Sequence, residues 1–233
     1  MLIFEAVIFG LVQALSEFLP VSSSGHLIIL HQLWPSPLLD NLTFDTMLHG
    51  GTLVAILWFF WQDWLMIIKS LWLNVAHRQA GSESRLGWAV VVGTIPAAAV
   101  GFFLESFIES LFRQIWLVAT MLLVFALVLA WVERHSRKNK NLTSLTIGHG
   151  WWIGVCQILA LVPGVSRSGI TATSGLLFGL NRQAAVRFSF LLSAPIIAGA
   201  FLSQLLKISW LIISPELLWS LAVGFIVSAI AGY

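Results

Sequence analysis

The chain has 233 residues, 58% of them hydrophobic, and carries only 12 Lys and Arg against 10 Asp and Glu. A charged fraction of 9% and a mean hydropathy of +0.92 exclude an ordinary water-soluble globule, for which about 25% charged is usual. The net charge of +2 also excludes the basic face of a nucleic-acid binder. Twelve Trp against one Tyr suit a chain anchored at lipid–water interfaces. The expectation is an all-α polytopic membrane protein.

Its first five residues, MLIFE, lack the positive start of a secretory signal and read as part of the mature protein. Cys156 is the single cysteine, so it forms no intrachain disulfide and no thiolate cage. Charges fall in clusters, and the gaps between them set the elements. Residues 18–39 are uncharged but broken by Pro, Ser and Gly, so about 1–40 reads as a helical hairpin that enters and leaves on one side. A first crossing follows at about 48–61, then a loop at 62–85, then crossings at 86–104 and 114–132. A second broken stretch, 141–166, makes a second hairpin over about 146–183, and crossings at 188–206 and 217–233 complete the count. Each unbroken run approaches the ~20 residues one bilayer crossing needs. At least five transmembrane helices and two re-entrant hairpins are therefore expected, in one integral membrane domain over 1–233.

With the first hairpin on side A, side B receives Lys69, Arg78, Arg85, Arg134, Arg137, Lys138, Lys140, Arg182 and Arg187. Side A keeps Arg113 and Lys207, so side B reads as cytoplasmic. Trp34, Trp116, Trp210 and Trp219 would line one interface, and Trp61, Trp64, Trp131 and Trp151 the other.

The chain also resembles itself. A shift of 144 positions aligns Gln13 with Gln157, Leu15 with Leu159, Val21 with Val165, Ser22 with Ser166, Ser24 with Ser168 and Gly25 with Gly169. Phe44 meets Phe188 at the same shift. Repeats of about 1–61 and 146–206 with three crossings between their hairpins have opposite topology. Inverted repeats built on broken helices place their site at the midplane, where the two tips meet.

The first tip reads QALSEFLPVSSSGH (13–26) and the second PGVSRSGIT (163–171). Ser24 and Ser168 suit N-caps for the outgoing half-helices, whose positive ends would form an anion site. Hydroxyls of Ser22, Ser23, Ser166 and Thr171 add donors. Arg167 weighs most, because a guanidinium at membrane depth costs about 2.5–3.5 kcal/mol on insertion scales. A buried ion pair with Glu17 would offset that and serve packing alone. The reading preferred here gives Arg167 to a phosphate, with Glu17 engaged elsewhere. Gln13 and Glu17 share a helical face and could hold Mg²⁺ together with substrate phosphates. His26 shares the tip with Ser23 and Glu17 and suits nucleophilic or acid/base work. His31 and His49 are read as core residues.

Together, Gln13-x-x-x-Glu17 running into FLPVSSSGH (18–26), and PGVSRSG (163–169) with Thr171, resemble the undecaprenyl-diphosphate phosphatase family of the BacA type. The resemblance runs over nearly the whole chain. It implies hydrolysis of undecaprenyl diphosphate to its monophosphate for reuse in envelope polymer synthesis, bacitracin resistance, and a divalent cation, Mg²⁺ or Ca²⁺. It also implies two inverted re-entrant hairpins among six crossings and a place in the bacterial inner membrane. By resemblance Glu17, with Gln13, belongs to the acidic motif, Ser23 and His26 to the first tip, and Ser166, Arg167, Ser168 and Thr171 to the second. Gly25 and Gly169 belong to the same phosphate-binding turns. Many members carry Glu where this chain has Gln13. The family's pattern also continues for one more crossing, so either the sequence stops short of that helix after 233 or this member lacks it.

The partners expected are a polyprenyl diphosphate and membrane lipids, with no nucleic acid and room for a homodimer. A transporter or flippase for a phosphorylated polyprenyl lipid is the alternative, since broken-helix inverted repeats also serve transport. The PAP2 type of lipid phosphatase is set aside because only its Ser-Gly-His piece is present, at residues 24–26. An intramembrane serine protease would leave Arg167 and Glu17 without a role.

Overall fold

The structure is a computed structural model that describes residues 2–112, 114–208 and 213–233, without the side chains of 105–112. Arg113 and Trp210, assigned above to side A, lie outside the described residues. Among the described residues ten α-helices follow in chain order: α1 Leu2–Phe18, α2 Ser23–Leu33, α3 Leu42–Phe59, α4 Trp61–His77, α5 Ser82–Phe112, α6 Ile115–His135, α7 Ile147–Gln157, α8 Arg167–Leu177, α9 Arg182–Lys207 and α10 Pro215–Gly232. Among the described residues the only β feature is a single isolated bridge, between Lys140 and Leu180. The protein is all-α and polytopic. Among the described residues five stretches are long and apolar enough to cross a bilayer: Leu42–Phe59, Ser82–Leu104, Ile115–His135, Arg182–Lys207 and Pro215–Gly232. These are the five crossings expected from the sequence, with α3 starting six residues earlier than its apolar run.

The loop expected over 62–85 is mostly helix instead. In α4, Leu65, Ile68, Trp72 and Val75 are exposed, while Asp63 and Ile67 are buried. Those apolar positions recur every three or four residues along one face, the pattern of a helix lying in the interface plane. Counting charges concealed that periodicity. Arg187 of α9 holds Asp63 at 2.5 Å and so ties α4 to the bundle.

Packing falls into two halves joined by a seam. Phe9, Leu27, Phe44, Leu48 and Leu221 bring α1, α2, α3 and α10 together. Ala89, Ile153, Leu176, Leu180, Phe188 and Leu192 join α5, α7, α8 and α9. Leu53 and Ile56 of α3 meet Ala194 and Ile197 of α9 along the seam. Phe44 and Phe188, matched at the 144-residue shift, are both fully buried, one in each half. Gly150 and Gly154 of α7 lie directly against Ala89 and Gly93 of α5, so close that a Cβ at either glycine would collide with backbone. Small residues spaced by four let two helices in lipid approach this closely. The contact fixes α7, and with it the second broken stretch.

That stretch tightens into a 3-10 turn at Ile158–Leu161 and reverses at Pro163 and Gly164 before α8 begins. Gly164 has a φ of +95°, and a Cβ there would sit 2.5 Å from the Val118 carbonyl oxygen of α6. Replacing Gly164 by Ala should therefore cost about 2–3 kcal/mol from backbone strain and the clash together. Gly199, with nothing within 4 Å of its would-be Cβ, should gain about 0.5–1 kcal/mol from the same change. Melting curves of the two variants in detergent check this. A Gly164→Ala protein as stable as the parent would mean that the tip is not held in this conformation.

Candidate active site

The two broken stretches end in matching caps. Ser22 and Ser166, not Ser24 and Ser168, are the N-caps of α2 and α8. Gly25 N donates to Ser22 Oγ at 3.3 Å, and Gly169 N donates to Ser166 Oγ at 3.1 Å. Within each cap the second serine lies close to the first, at 3.3 Å for Ser22 and Ser24 and 3.2 Å for Ser166 and Ser168. An N-cap serine accepts from the amide two or three residues on, and Ser22 and Ser166 each take the third, that of the glycine. Ser22 adopts this role at φ 66°, ψ 97°, a left-handed conformation uncommon for a residue with a side chain.

The tips touch. Ser168 Oγ donates to the Leu19 carbonyl at 3.2 Å, and a Cβ on Gly25 would lie 3.3 Å from Gly164 Cα. At this junction Arg167, the first residue of α8, donates through Nη2 to Glu17 Oε1 at the end of α1. The side chains are 14% and 5% exposed respectively, so this is a buried ion pair between the two hairpins. Glu17 is thus not engaged elsewhere, as the sequence reading had it. The carboxylate compensates the guanidinium. Packing alone does not account for the whole group, because Arg167 Nη1 is buried with no hydrogen-bond partner. The other carboxylate oxygen, Glu17 Oε2, accepts from Ser23 Oγ at 2.5 Å and from Gln13 Nε2 at 3.1 Å. His49 Nε2 stands 3.7 Å from it.

These groups open on a cavity of about 330 Å³, within the size range of small-ligand sites. Glu17, Ser22, Ser23, Ser24 and Arg167 line it together with apolar side chains from α2, α5 and α9. The other expected site residues lie outside its wall. Gln13 is fully buried behind Glu17, with Nε2 also reaching Thr52 at 3.4 Å and Oε1 unpartnered. The hydroxyl of Ser166 and the amide of Gly169 are engaged with each other in the cap, as is the Gly25 amide with Ser22. Ser168 lines a separate hollow of about 180 Å³ beside Ser189. Thr171 is fully buried, bonded to the Arg167 carbonyl at 2.8 Å and to Ser189 Oγ at 2.6 Å, so it steadies the first turn of α8. His26 sits half-buried beside the tip with Nδ1 2.8 Å from the Ser22 carbonyl oxygen. A ring nitrogen facing a carbonyl carries the proton, which leaves Nε2 as the reactive nitrogen.

Five polar residues missed as site members line the cavity as well: Asp45, Thr46, His49, Gln157 and Gln204. His49 is fixed by Nδ1, 2.8 Å from the Asp45 carbonyl oxygen, and turns Nε2 to Glu17. A signal for this pair existed, since Asp45 and His49 are one turn apart at the head of an apolar span, where ionisable residues mark function. His31 fits its core reading, its ring tilted against Phe9 with centroids 4.6 Å apart and Nε2 2.9 Å from Asp45 Oδ1.

Among the described residues no three His, Cys, Asp or Glu side chains converge on a metal position. On its wall the cavity offers Glu17 as a hard oxygen donor, with Gln13 behind it as a support and not as a direct ligand. One carboxylate is a sufficient protein contribution for a cation whose other ligands are phosphate oxygens and water.

Residues 6–233 match the family described as bacitracin resistance protein BacA. The chain belongs to that family. Among similar BacA-type proteins, one from Geotalea daltonii is 43% identical, with 99% of this chain and 86% of the relative aligned. Another, from Desulforudis audaxviator, is 44% identical over 99% of this chain and 85% of its own length. A third, from Methanosphaera stadtmanae, is 43% identical over 99% and 86%. All three carry the name undecaprenyl-diphosphatase.

The ion pair between the hairpins has a measurable consequence. Arg167→Met leaves the Glu17 carboxylate buried without its counter-charge and should cost about 3–5 kcal/mol. Adding Glu17→Gln should recover most of that stability, because the orphaned charge is gone. Unfolding of the parent, both single variants and the double variant measures the coupling. An Arg167→Met protein with parental stability would remove the ion pair as a structural element.

Proposed function

We propose that this protein hydrolyses undecaprenyl diphosphate, releasing inorganic phosphate and leaving undecaprenyl phosphate, at the cavity between the two hairpin tips. The observation that carries this reading is Arg167, half engaged with Glu17 and half unpartnered at Nη1 in a buried, hydroxyl-lined cavity. A guanidinium in that state is ready for a phosphate, which accepts from both nitrogens. The names of the relatives supply the substrate class. The apolar part of the cavity wall, including Leu27, Ile28, Ile197 and Phe201, suits the first isoprenoid units of a chain that otherwise stays in lipid.

In this mechanism Ser23 Oγ attacks the terminal phosphorus, its proton passes to Glu17, and the bond from phosphorus to the bridging oxygen breaks. Undecaprenyl phosphate leaves, and water then releases phosphate from the serine. The 2.5 Å contact between Ser23 and Glu17 supports the proton transfer. Arg167 drawn onto the diphosphate frees the Glu17 oxygen that it holds, while Oε2 keeps its contact with Ser23. Charge on the transferring phosphoryl group is compensated by Arg167 and by the N-terminal ends of α2 and α8. A divalent cation, Mg²⁺ or Ca²⁺, would be held by Glu17 and would neutralise charge on the phosphate oxygens. In the second step the departing serine oxygen recovers its proton from Glu17. The proposal also places the two hairpins as inverted repeats re-entering the bacterial inner membrane from opposite faces. The matched caps of Ser22 and Ser166 support it.

Phosphate release from detergent-solubilised undecaprenyl diphosphate tests the reading. Arg167→Lys and Ser23→Ala should each lower kcat by about 10²–10³-fold. A parent protein that leaves the diphosphate intact but moves it between leaflets of a vesicle would make this a transporter. Terminally labelled diphosphate should leave an acid-stable label on the protein, the property of phosphoserine. An acid-labile label would transfer the nucleophile's role to His26. Chelation should suppress turnover, and added Mg²⁺ or Ca²⁺ should restore it; turnover unchanged by a chelator would remove the cation.

A further inference from the structure

Gln157 is the last residue of α7 and only 1% exposed, yet neither its Nε2 nor its Oε1 has a hydrogen-bond partner. Both polar ends of a primary amide left unsatisfied is a rare and destabilising state in a buried position. The residue lines the same cavity as Arg167 and Glu17. Its counterpart at the 144-residue shift, Gln13, is in a different situation. Gln13 Nε2 is engaged by Glu17 one turn further along α1. The position matching Glu17 in the second half is Leu161, which also lines the cavity and offers no acceptor. The second amide is therefore left without a partner, on a residue of the cavity wall, where the first is occupied.

The close contact of Gly150 and Gly154 with α5 holds α7 in place immediately before this residue, so the amide cannot easily withdraw to find another partner. Its neighbours on the cavity wall include Ala97 and Ala160, which offer no side-chain polar atoms. Such a group persists when a ligand satisfies it. Arg167 Nη1, the other unpartnered donor of the cavity, is in the same unsatisfied state.

We infer that Gln157 is a phosphate-binding residue of the site: its Nε2 donates to a non-bridging oxygen of the diphosphate whose charge Arg167 compensates, and its Oε1 accepts from a water on the same phosphate. The inference rests on the diphosphate reading of the cavity, and it adds a neutral donor from α7 to the charged one from α8. A neutral amide adds hydrogen bonds without adding charge, so it favours the diphosphate over the monophosphate less by attraction than by geometry.

The test compares the full-length parent with Gln157→Met, which keeps length and removes both polar atoms, and with Gln157→Glu. Three quantities are read in detergent: melting temperature without ligand, its shift with undecaprenyl diphosphate or undecaprenyl phosphate, and KM and kcat for phosphate release. Without ligand, Gln157→Met should melt at or above the parent temperature, since an unsatisfied amide has been removed. Its KM for the diphosphate should rise about 10–100-fold, the loss expected for a hydrogen bond to a charged group. The shift produced by the diphosphate should shrink toward that produced by the monophosphate. Gln157→Glu should lose more of both, through repulsion of the phosphates. Parental KM and parental shift in Gln157→Met would overturn the inference while leaving the hydrolase reading intact. A melting temperature lowered together with activity would also overturn it, by making the amide a structural group. A parent that binds the diphosphate and does not cleave it would end the hydrolase reading alone, because the Gln157 effect on binding would still be measured. A parent whose melting temperature the diphosphate does not move would end both.

Discussion

The arrangement depends on one interaction, the buried contact of the Arg167 guanidinium with the Glu17 carboxylate across two hairpins that are 150 residues apart in sequence. A charge at this depth is tolerated only when compensated. The cation comes from the first turn of α8 and the anion from the last turn of α1, so neither hairpin is self-sufficient. The compensation is incomplete: Nη1 is left over. A pair designed only for stability would use the whole fork of the guanidinium, and an apolar pair of similar size would hold the tips together at lower cost. The remaining capacity of Arg167 is what links the architecture to phosphate chemistry.

The two halves share a scaffold and differ in chemistry. Ser22 and Ser166 cap α2 and α8 with the same side-chain to backbone bond, and the residues that follow them, Ser23 and Arg167, occupy equivalent first positions in those helices. In one half that position carries the hydroxyl bonded to Glu17, and in the other the cation. Glu17 has Leu161 as its counterpart, so the acid side of the site belongs to the first half alone. The two matched stretches thereby differ in chemistry, with the Ser23 hydroxyl and the Glu17 carboxylate from the first and the Arg167 guanidinium from the second. Distinct groups from the two stretches are what a diphosphate needs, since its two phosphates undergo different fates.

Much of this was legible in one dimension. Five crossings follow from uncharged runs whose length matches a bilayer, because lipid admits few charges and no unpaired backbone. The broken stretches announce themselves through Pro20, Pro163 and Gly164, residues that end helices. Arg167 stood out because an uncompensated cation does not belong between apolar segments. Legibility failed where three-dimensional proximity decided the matter. His49 was read as a core residue on α3, and only folding brings its Nε2 to 3.7 Å from Glu17. Thr171 was read as an anion donor, but the packing of α9 gives its hydroxyl to Ser189. The cap role moved from Ser24 and Ser168 to their neighbours two residues earlier, since the bond formed depends on where helical geometry starts.

The sequence by itself determined that this is a membrane protein, where its apolar helices lie, that it carries two related broken segments, and which ionisable residues they hold. Those are properties of composition and periodicity, which solvent and lipid read locally, one segment at a time. Only the tertiary structure decided which hydroxyls face the cavity and which are taken up by caps, that Glu17 and Arg167 meet, and that the Gln157 amide is left without a partner. A hydrogen bond is satisfied or not according to what another part of the chain brings within about 3 Å, and no local pattern contains that information.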